Sequence, residues 1–226
     1  VPPCVFSVVH GGKECVDALL THPDIAAISF VGSSPVAEYI HKTGTAHGKR
    51  VQAAGGAKNV VVVMPDAELG KAVEGLTDAA FGCSGQRCMA GSTAVTVGEA
   101  SERFIPAIAD SAASLSVGPT HLSETVKLGG VITAQHKERV VSLIDSAVEE
   151  GGNLVVDGRN VEVNDHPDGF YLGASVVDHV TTDMTIFREE VFGPVLNVMR
   201  MEDLDEAIDL ASRVAFGNGA CIYTQS

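Results

Sequence analysis

Short apolar runs alternate with segments of helical periodicity along almost the whole chain. Apolar runs bounded by turn residues are typical of strands, and apolar positions three or four apart are typical of one helix face. We predict strands at residues 5–9, 25–31, 60–64, 93–97, 154–156, 171–177, 195–200 and 220–223. We predict helices at residues 13–21, 36–43, 66–81, 102–113, 135–149 and 204–214. This alternation predicts an α/β fold, a parallel-rich sheet covered by helices.

In two adjacent segments the sequence predicts burial and capping as well as secondary structure. VVVVM at residues 60–64 has no polar position, which predicts a strand that is buried on both faces of the sheet. Asp66 follows it and is a plausible N-cap for the helix at residues 66–81. Buried strand and amphipathic helix together predict one unit of a helix-covered sheet.

A domain boundary is predicted near residues 52–58, where Gly55 and Gly56 interrupt the alternation. The two expected domains are residues 1–52 and residues 53–226. The chain begins with a valine and stops just after its last predicted strand. We therefore expect it to be a fragment of a longer protein.

Composition and charge limit the partners. Hydrophobic residues make up 45% of the 226 positions and charged residues 19%, which is globular composition able to fill a core. The formal net charge of −14 argues against nucleic-acid binding and against docking on anionic membranes. We therefore expect small-molecule partners, with no nucleic acid and no membrane.

Cysteine and histidine usage limits the chemistry further. The five cysteines are an odd number and form no CxxC, so a disulfide framework or a zinc site is not expected. The eight histidines form no HExxH and no cluster with cysteine, which leaves them as surface or helix-cap residues. We expect no metal site and a reducing compartment, either the cytoplasm or the mitochondrial matrix.

The segment FGCSGQRCMAGS at residues 81–92 is the strongest candidate for chemistry. A thiol is a weak nucleophile until it ionises, with a free pKa of about 8.5. A loop rich in glycine and serine can direct backbone N–H groups at the sulfur and at an oxyanion formed by its attack. Cys88 is the predicted nucleophile; the alternative is a small buried apolar residue at a strand start. For Cys83, packing at the helix end is the better interpretation.

Arg87 places a positive charge beside the predicted nucleophile. It could lower the pKa of the thiol, hold an acidic substrate, or do both. GSSP at residues 32–35 lies between a predicted strand and a predicted helix, where free N–H groups favour a phosphate. A simple helix start explains GSSP equally well, and there is no GxGxxG or P-loop.

Four segments together resemble the aldehyde dehydrogenase superfamily. They are FVGSSPVAEYI, QAAGGAKN, FGCSGQRCMAGS and EEVFGPV, which occur in the family's order and with family-like spacing. The resemblance covers essentially the whole chain, although a full family member is roughly twice as long. It implies that residues 1–52 are the C-terminal part of an NAD-binding domain and that residues 53–226 are a truncated catalytic domain. It also implies a homodimer or homotetramer at full length.

The resemblance implies a role for each site residue. Cys88 matches the nucleophile and Ser33 matches the serine at the cofactor phosphate. Glu190 would bind the ribose of NAD, and Phe192 would line the cofactor. A glutamate can accept two ribose hydroxyl hydrogen bonds and an aromatic ring can flank a nicotinamide, although without the resemblance Glu189 and Glu190 read as a solvated acidic turn.

QAAGGAKN departs from the family pattern at the general base. Aligning its two glycines with the family's ELGGK segment puts Ala53 where the water-activating glutamate stands. The departure is shared with the CoA-acylating methylmalonate-semialdehyde dehydrogenases. Two segments of this chain also resemble the signature of that subfamily: HKTGTAHGKRVQAAGGAKN and GQRCMA. The resemblance implies that CoA is a co-substrate and that Arg87 grips a substrate carboxylate. The pathway stays open between valine and thymine breakdown and inositol degradation.

Other functions stay open at this point. Ala53 also fits a chain that has lost activity. A hydrolytic aldehyde dehydrogenase would need another base, and a non-catalytic family member would show no reactive thiol at Cys88. A metabolite-binding module would bind NAD or CoA without chemistry.

Overall fold

The computed structural model describes residue 2 and residues 4–226, which divide into two compact units between Gly56 and Ala57. This division falls four residues after the expected end of the first domain at Gln52. The reason is local: strand β2, at Arg50–Ala54, runs through the expected boundary and pairs with β1 over its whole length.

The first unit is a small α/β layer. Its elements are α1 (Lys13–Thr21), β1 (Ala27–Val31), α2 (Ser34–Ala46) and β2 (Arg50–Ala54). Strands β1 and β2 are parallel. A Cβ on Gly44 would lie 2.7 Å from Val51 Cγ2, so this glycine lets α2 lie close against β2.

Two expectations for the first unit need correction. The apolar run at residues 5–9 was expected to be a strand, but it has no regular structure and Phe6 is 76% exposed. Among the described residues no strand pairs with it, and an extended run without a partner cannot satisfy its backbone in a sheet. Strand β2 was not predicted, because Val51 is the only large apolar residue of RVQAA and the other apolar positions are alanines.

The second unit contains a six-stranded sheet. Its strands are β3 (Val60–Val63), β4 (Thr93–Val97), β5 (Asn153–Val156), β6 (Ser175–Asp178), β7 (Val195–Met201) and β8 (Ala220–Tyr223). Their order across the sheet is β5-β6-β7-β4-β3-β8, and only the β5–β6 pair is antiparallel. The predicted parallel-rich α/β fold is therefore confirmed.

Helices cover both faces of this sheet. They are α3 (Leu69–Phe81), α4 (Ala100–Ala113), α5 (Ala134–Glu149), α6 (Thr185–Arg188) and α7 (Leu204–Arg213). In β3, Val60 and Val62 pack in a core with residues of α5 and α7, whereas Val61 and Val63 pack in a second core with α3 and α4. This two-sided burial is the reason that the strand has no polar position. Within residues 2 and 4–226, every helix is too short or too polar to cross a bilayer.

The start of α3 differs from the expectation. The helix begins at Leu69, and Glu68 is its N-cap, accepting from the backbone N–H groups of Gly70 at 3.2 Å and Lys71 at 3.1 Å. Asp66 accepts instead from the Thr224 hydroxyl and from the backbone N–H of Gln225, at 2.9 Å for the latter. The predicted cap was wrong because a segment distant in sequence occupies that carboxylate.

Candidate active site

The cysteine loop leaves α3 through a tight left-handed turn. A single 3₁₀ turn spans Gly82–Gly85, and Cys83, Ser84 and Gly85 have φ of 53°, 54° and 68°. Ser84 is buried and its hydroxyl donates to the Gly129 carbonyl at 2.8 Å. Side-chain and backbone contacts thus hold a conformation that non-glycine residues seldom adopt.

Gly85 brings the cysteine loop against the EEVFGP segment. A Cβ at Gly85 would overlap the carbonyl oxygen of Gly193, so only glycine permits this approach. The family-like loop and the family-like acidic segment, more than 100 residues apart in sequence, therefore meet directly.

Cys88 is exposed while its backbone is held firmly. Its carbonyl accepts from Asn59 Nδ2 at 2.8 Å and from Asn218 Nδ2 at 2.7 Å. Asn59 also donates to the Ala90 carbonyl at 2.8 Å and accepts from the Gly219 N–H at 2.9 Å. The alternative of a buried packing residue does not describe Cys88, and an accessible thiol on a fixed backbone suits a nucleophile.

Cys83 is also exposed, so the expectation that it packs at the helix end is wrong. Its left-handed φ turns the chain away from the axis of α3 immediately after Phe81, which is the residue that is buried there.

Four predicted site residues line one small pocket. They are Arg87, Cys88, Glu190 and Phe192; the remaining lining residues are Ala57, Asn59, Gly85, Ala90, Ser92, Val191 and Gly193. Phe192 is 37% exposed and has a φ of 54°. Cys88 and the two residues that the resemblance matches to NAD binding thus line one opening.

The guanidinium of Arg87 lies on the end of α3. Its Nη2 donates to the carbonyls of Asp78 and Ala79, the latter at 3.3 Å. A Cβ on Gly82 would lie 2.6 Å from Nη2, so this glycine makes room for the contact. A cation at a helix C-terminus is favoured by the helix dipole. Arg87 therefore lines the pocket while its charge is engaged by backbone carbonyls.

The acidic segment is held from α5 by Arg139. Nη1 donates to the Val191 carbonyl at 3.2 Å, and Nη2 donates to the Glu190 carbonyl at 3.0 Å. Nη2 also pairs with the Glu189 carboxylate at 2.9 Å. The two adjacent glutamates thus differ: Glu189 is ion-paired, whereas the carboxylate of Glu190 has no hydrogen bond to any described residue.

His136, one helical turn before Arg139, holds the next carbonyl. Its Nε2–H donates to the Phe192 carbonyl at 2.7 Å, and its ring meets the Phe192 ring edge-on with centroids 6.4 Å apart. We expected the histidines to be surface or helix-cap residues. His136 is half-buried and bonded across 56 residues of sequence, so that expectation fails for it.

Lys58 holds the start of the segment. It is 2% exposed, and its ammonium donates to the carbonyls of Ile186, at 2.9 Å, and Glu189. Burial lowers the pKa of Lys58 to about 8; the nearby Arg139 adds to this, while Glu190 and Glu189 oppose it.

Ser33 lies in the first unit, as the N-cap residue of α2. Its side chain is exposed and makes no capping hydrogen bond. Ser34 Oγ accepts from the Gly56 N–H at 3.1 Å, and a Cβ on Gly55 would lie 2.7 Å from that oxygen. The turn after β1 and the glycine pair after β2 are therefore neighbours within this unit.

Sequence reasoning missed five residues that hold the pocket: Lys58, Asn59, His136, Arg139 and Asn218. One signal was available for the first two. A lysine and an asparagine directly before a buried strand are themselves expected to be buried, and buried polar groups need hydrogen-bond partners. The other three act across long sequence separations that local patterns do not report.

The comparison with known families agrees with the cysteine loop, the pocket and the fold described above. A sequence model of the aldehyde dehydrogenase family matches residues 1–226. The chain belongs to this family, as the four segments predicted.

Similar proteins within this family carry semialdehyde dehydrogenase names. The chain is 51% identical over 225 residues to malonate-semialdehyde dehydrogenase 1 of Oceanobacillus iheyensis, covering 100% of this chain and 46% of the relative. It is 49% identical over 226 residues to malonate-semialdehyde dehydrogenase of Pseudomonas aeruginosa, covering 100% of this chain and 45% of the relative. The chain thus spans about half the length of the curated relatives it matches.

Solved structures show the same fold. Methylmalonate-semialdehyde dehydrogenase from Oceanimonas doudoroffii aligns with a TM-score of 0.91 and 49% identity, covering 96% of this chain and 44% of that one. A protein from Sinorhizobium meliloti assigned as a methylmalonate-semialdehyde dehydrogenase, solved with NAD, aligns with a TM-score of 0.92 and 46% identity. That alignment covers 96% of this chain and 44% of that one.

Proposed function

We propose that the protein carrying this chain oxidises malonate or methylmalonate semialdehyde with NAD and transfers the acyl group to CoA. The observation that carries this proposal is the exposed Cys88 on a fixed backbone, in one pocket with Glu190 and Phe192. The names of the relatives that are about half identical to the chain support the substrate class.

Cys88 is the proposed nucleophile. Its thiolate attacks the aldehyde carbon, and backbone N–H groups of the cysteine loop stabilise the oxyanion that forms. Two asparagine side chains on its carbonyl fix the direction of attack. The attack gives a hemithioacetal, and loss of its hydride to the NAD that the proposal invokes would leave a thioester on Cys88.

Residues in each of the two units, each unit taken by itself, fit part of an NAD molecule. Among the described residues the carboxylate of Glu190 makes no hydrogen bond, although Lys58 is close enough to interact with its charge, so it can accept from ribose hydroxyls. The partly exposed ring of Phe192 suits a flat nicotinamide. The N-terminus of α2 has an exposed Ser33 without a capping bond, which suits a phosphate. Bound NAD would supply the acceptor for the hydride that leaves the substrate carbon.

The missing general base favours CoA as the acyl acceptor. Ala53 cannot accept a proton, and aligning Lys58 with the lysine of ELGGK would place Ala54 there with the same result. Water attack on the thioester is then slow, whereas a thiol with a pKa near 8–9 ionises with less help. A thioester with a β-carboxylate loses CO₂, and CoA then displaces Cys88 to give acetyl-CoA or propionyl-CoA.

Arg87 is the proposed contact for the substrate carboxylate. Its charge is engaged by carbonyls at the end of α3, and a carboxylate in the pocket is a stronger acceptor for a guanidinium than a neutral carbonyl. We expect the guanidinium to turn toward the substrate. Assembly as a dimer or tetramer and residence in the cytoplasm or the mitochondrial matrix belong to the same proposal.

NADH absorbance of the complete protein with malonate semialdehyde and NAD tests the proposal. Multiple turnovers only with CoA would support acyl transfer to CoA and the inference that the alanine at the general-base position makes hydrolysis slow. Equal rates without CoA would overturn acyl transfer in favour of a hydrolytic enzyme with another base. No NADH in either assay would overturn oxidation of this substrate.

A further inference from the structure

We propose that Lys58, His136 and Arg139 form a carbonyl clamp, the name used below for these three residues, that sets the position of Glu190 and Phe192 for NAD. The inference rests on the proposed use of NAD. It assigns the three side chains as positioning residues that act through the backbone of the segment at residues 189–192.

Four consecutive carbonyls of this segment accept from the clamp. Lys58 donates to residue 189, Arg139 to residues 190 and 191, and His136 to residue 192. The segment lies between α6 and β7, outside helix and strand, so its carbonyls have no regular ladder to join. Backbone carbonyls removed from water need partners, and side chains provide them throughout this segment.

The clamp also separates the two glutamates. Arg139 pairs with the carboxylate of Glu189 at 2.9 Å and so holds it on the side of α5. Glu190 lines the pocket with Cys88, and its carboxylate makes no hydrogen bond to the residues that the structure describes. A one-residue slip of the backbone would put Glu189 in the place of Glu190, which the four carbonyl contacts oppose.

Lys58 links this segment to the nucleophile. The next residue, Asn59, donates to the carbonyl of Cys88 at 2.8 Å, and both residues directly precede the buried strand β3. The two sides of the pocket are therefore attached to neighbouring residues of one rigid element. Sites held on rigid elements keep the geometry that hydride transfer needs, and displacement by about 1 Å can lower a rate roughly 100-fold.

A purely structural lysine would explain the same burial, and Lys49 provides that comparison. It is 7% exposed, and its ammonium donates to the carbonyls of His22 at 2.5 Å and Ile25 at 2.6 Å. Lys49 thus makes the same type of contact in a turn that carries no proposed site residue.

The first test compares Lys58→Met with Lys49→Met in the complete protein. Hydrogen exchange of the amides at residues 189–193 should accelerate at least about tenfold in K58M and stay unchanged in K49M. The KM for NAD should rise about tenfold or more in K58M, with a smaller change in kcat. An unchanged exchange rate in K58M, or an equal rise of KM in K49M, would overturn the inference.

The second test avoids a buried substitution. Arg139→Met removes the contacts to residues 189–191 from a partly exposed side chain, and Arg103→Met is its control because Arg103 donates to the Pro65 carbonyl at 2.7 Å outside the pocket. R139M alone should accelerate exchange at residues 189–193. The exchange measurement needs no substrate, so it decides the inference about the segment even if the wild-type protein forms no NADH. A wild-type protein that forms NADH while R139M and K58M keep its KM for NAD would overturn the functional half.

Discussion

The two sides of the pocket are held in different ways. The turn of the cysteine loop depends on its own backbone, with three successive left-handed residues of which the last, Gly85, touches Gly193. Distant side chains enter this loop beyond the turn, where Asn59 and Asn218 donate to the Cys88 carbonyl. The acidic segment depends on distant side chains, which donate to its carbonyls from sequence separations of 51 to 131 residues. The first kind of support is written into a short motif, and the second exists only when the chain is folded.

Removal of the nucleophile should give the largest effect. Cys88→Ala in the complete protein should lower NADH formation by about 10³-fold or more, because no covalent step is possible without the thiol. Rates of NADH formation measure it, and Cys83→Ala is the matched control because Cys83 is an exposed thiol of the same loop. Normal turnover of C88A would show that the nucleophile is misassigned.

Separation of the two sides should have the next largest effect. Gly85→Ala should lower the free energy of unfolding by about 3 kcal/mol or more, since a left-handed φ and an overlap with Gly193 add together. Gly98 also has a left-handed φ, of +51°, but a Cβ there would meet no atom closer than 3.7 Å. Gly98→Ala should therefore lower the free energy of unfolding by only about 1 kcal/mol. Denaturant unfolding compares them, and equal losses would mean that the contact with Gly193 is not tight.

The two glutamates of the acidic segment should respond unequally. Glu190→Gln should raise the KM for NAD about tenfold, because a neutral amide accepts ribose hydrogen bonds less strongly than a carboxylate. Glu189→Gln should change the KM for NAD less than about threefold, because Glu189 forms an exposed ion pair with Arg139 and such pairs contribute little energy. Steady-state kinetics at fixed aldehyde test this. A larger effect of E189Q would reverse the assignment.

The smallest expected effect comes from the titration of Lys58. Its pKa of about 8 lies below the ordinary 10.5, so between these values the unfolded chain holds a proton that the folded chain has released. Stability therefore rises with pH, by about 1.4 kcal/mol from pH 7 to pH 9. The charged groups that face Lys58 are Glu189, Glu190 and Arg139.

Denaturant unfolding of the wild type and of Lys58→Met at both pH values isolates the contribution of Lys58 to the free energy of unfolding. The other titrating groups are common to both proteins. The advantage of the wild type over the variant should increase at pH 9. A difference that does not change with pH would mean that the ammonium of Lys58 is better solvated than its burial suggests.

Much of the fold was accessible from sequence patterns. The strand at residues 93–97 and the helix at residues 13–21 were predicted with the observed bounds, because turn residues flank clear periodic runs. The helix at residues 66–81 was placed correctly but capped wrongly at Asp66, since Thr224 and Gln225 take that carboxylate. The run at residues 5–9 shows the opposite failure, because apolar character alone cannot make a strand without a partner.

The sequence by itself determined the order of helices and strands, the family and the residues that carry the proposed chemistry. These depend on local periodicity and on short motifs, which sequence contains in full. Only the tertiary structure decided where the guanidinium of Arg87 lies, which glutamate is ion-paired and how the clamp holds the acidic segment. Those features are contacts between residues far apart in the chain, and such contacts acquire partners, distances and burial only when the sheet and its helices assemble.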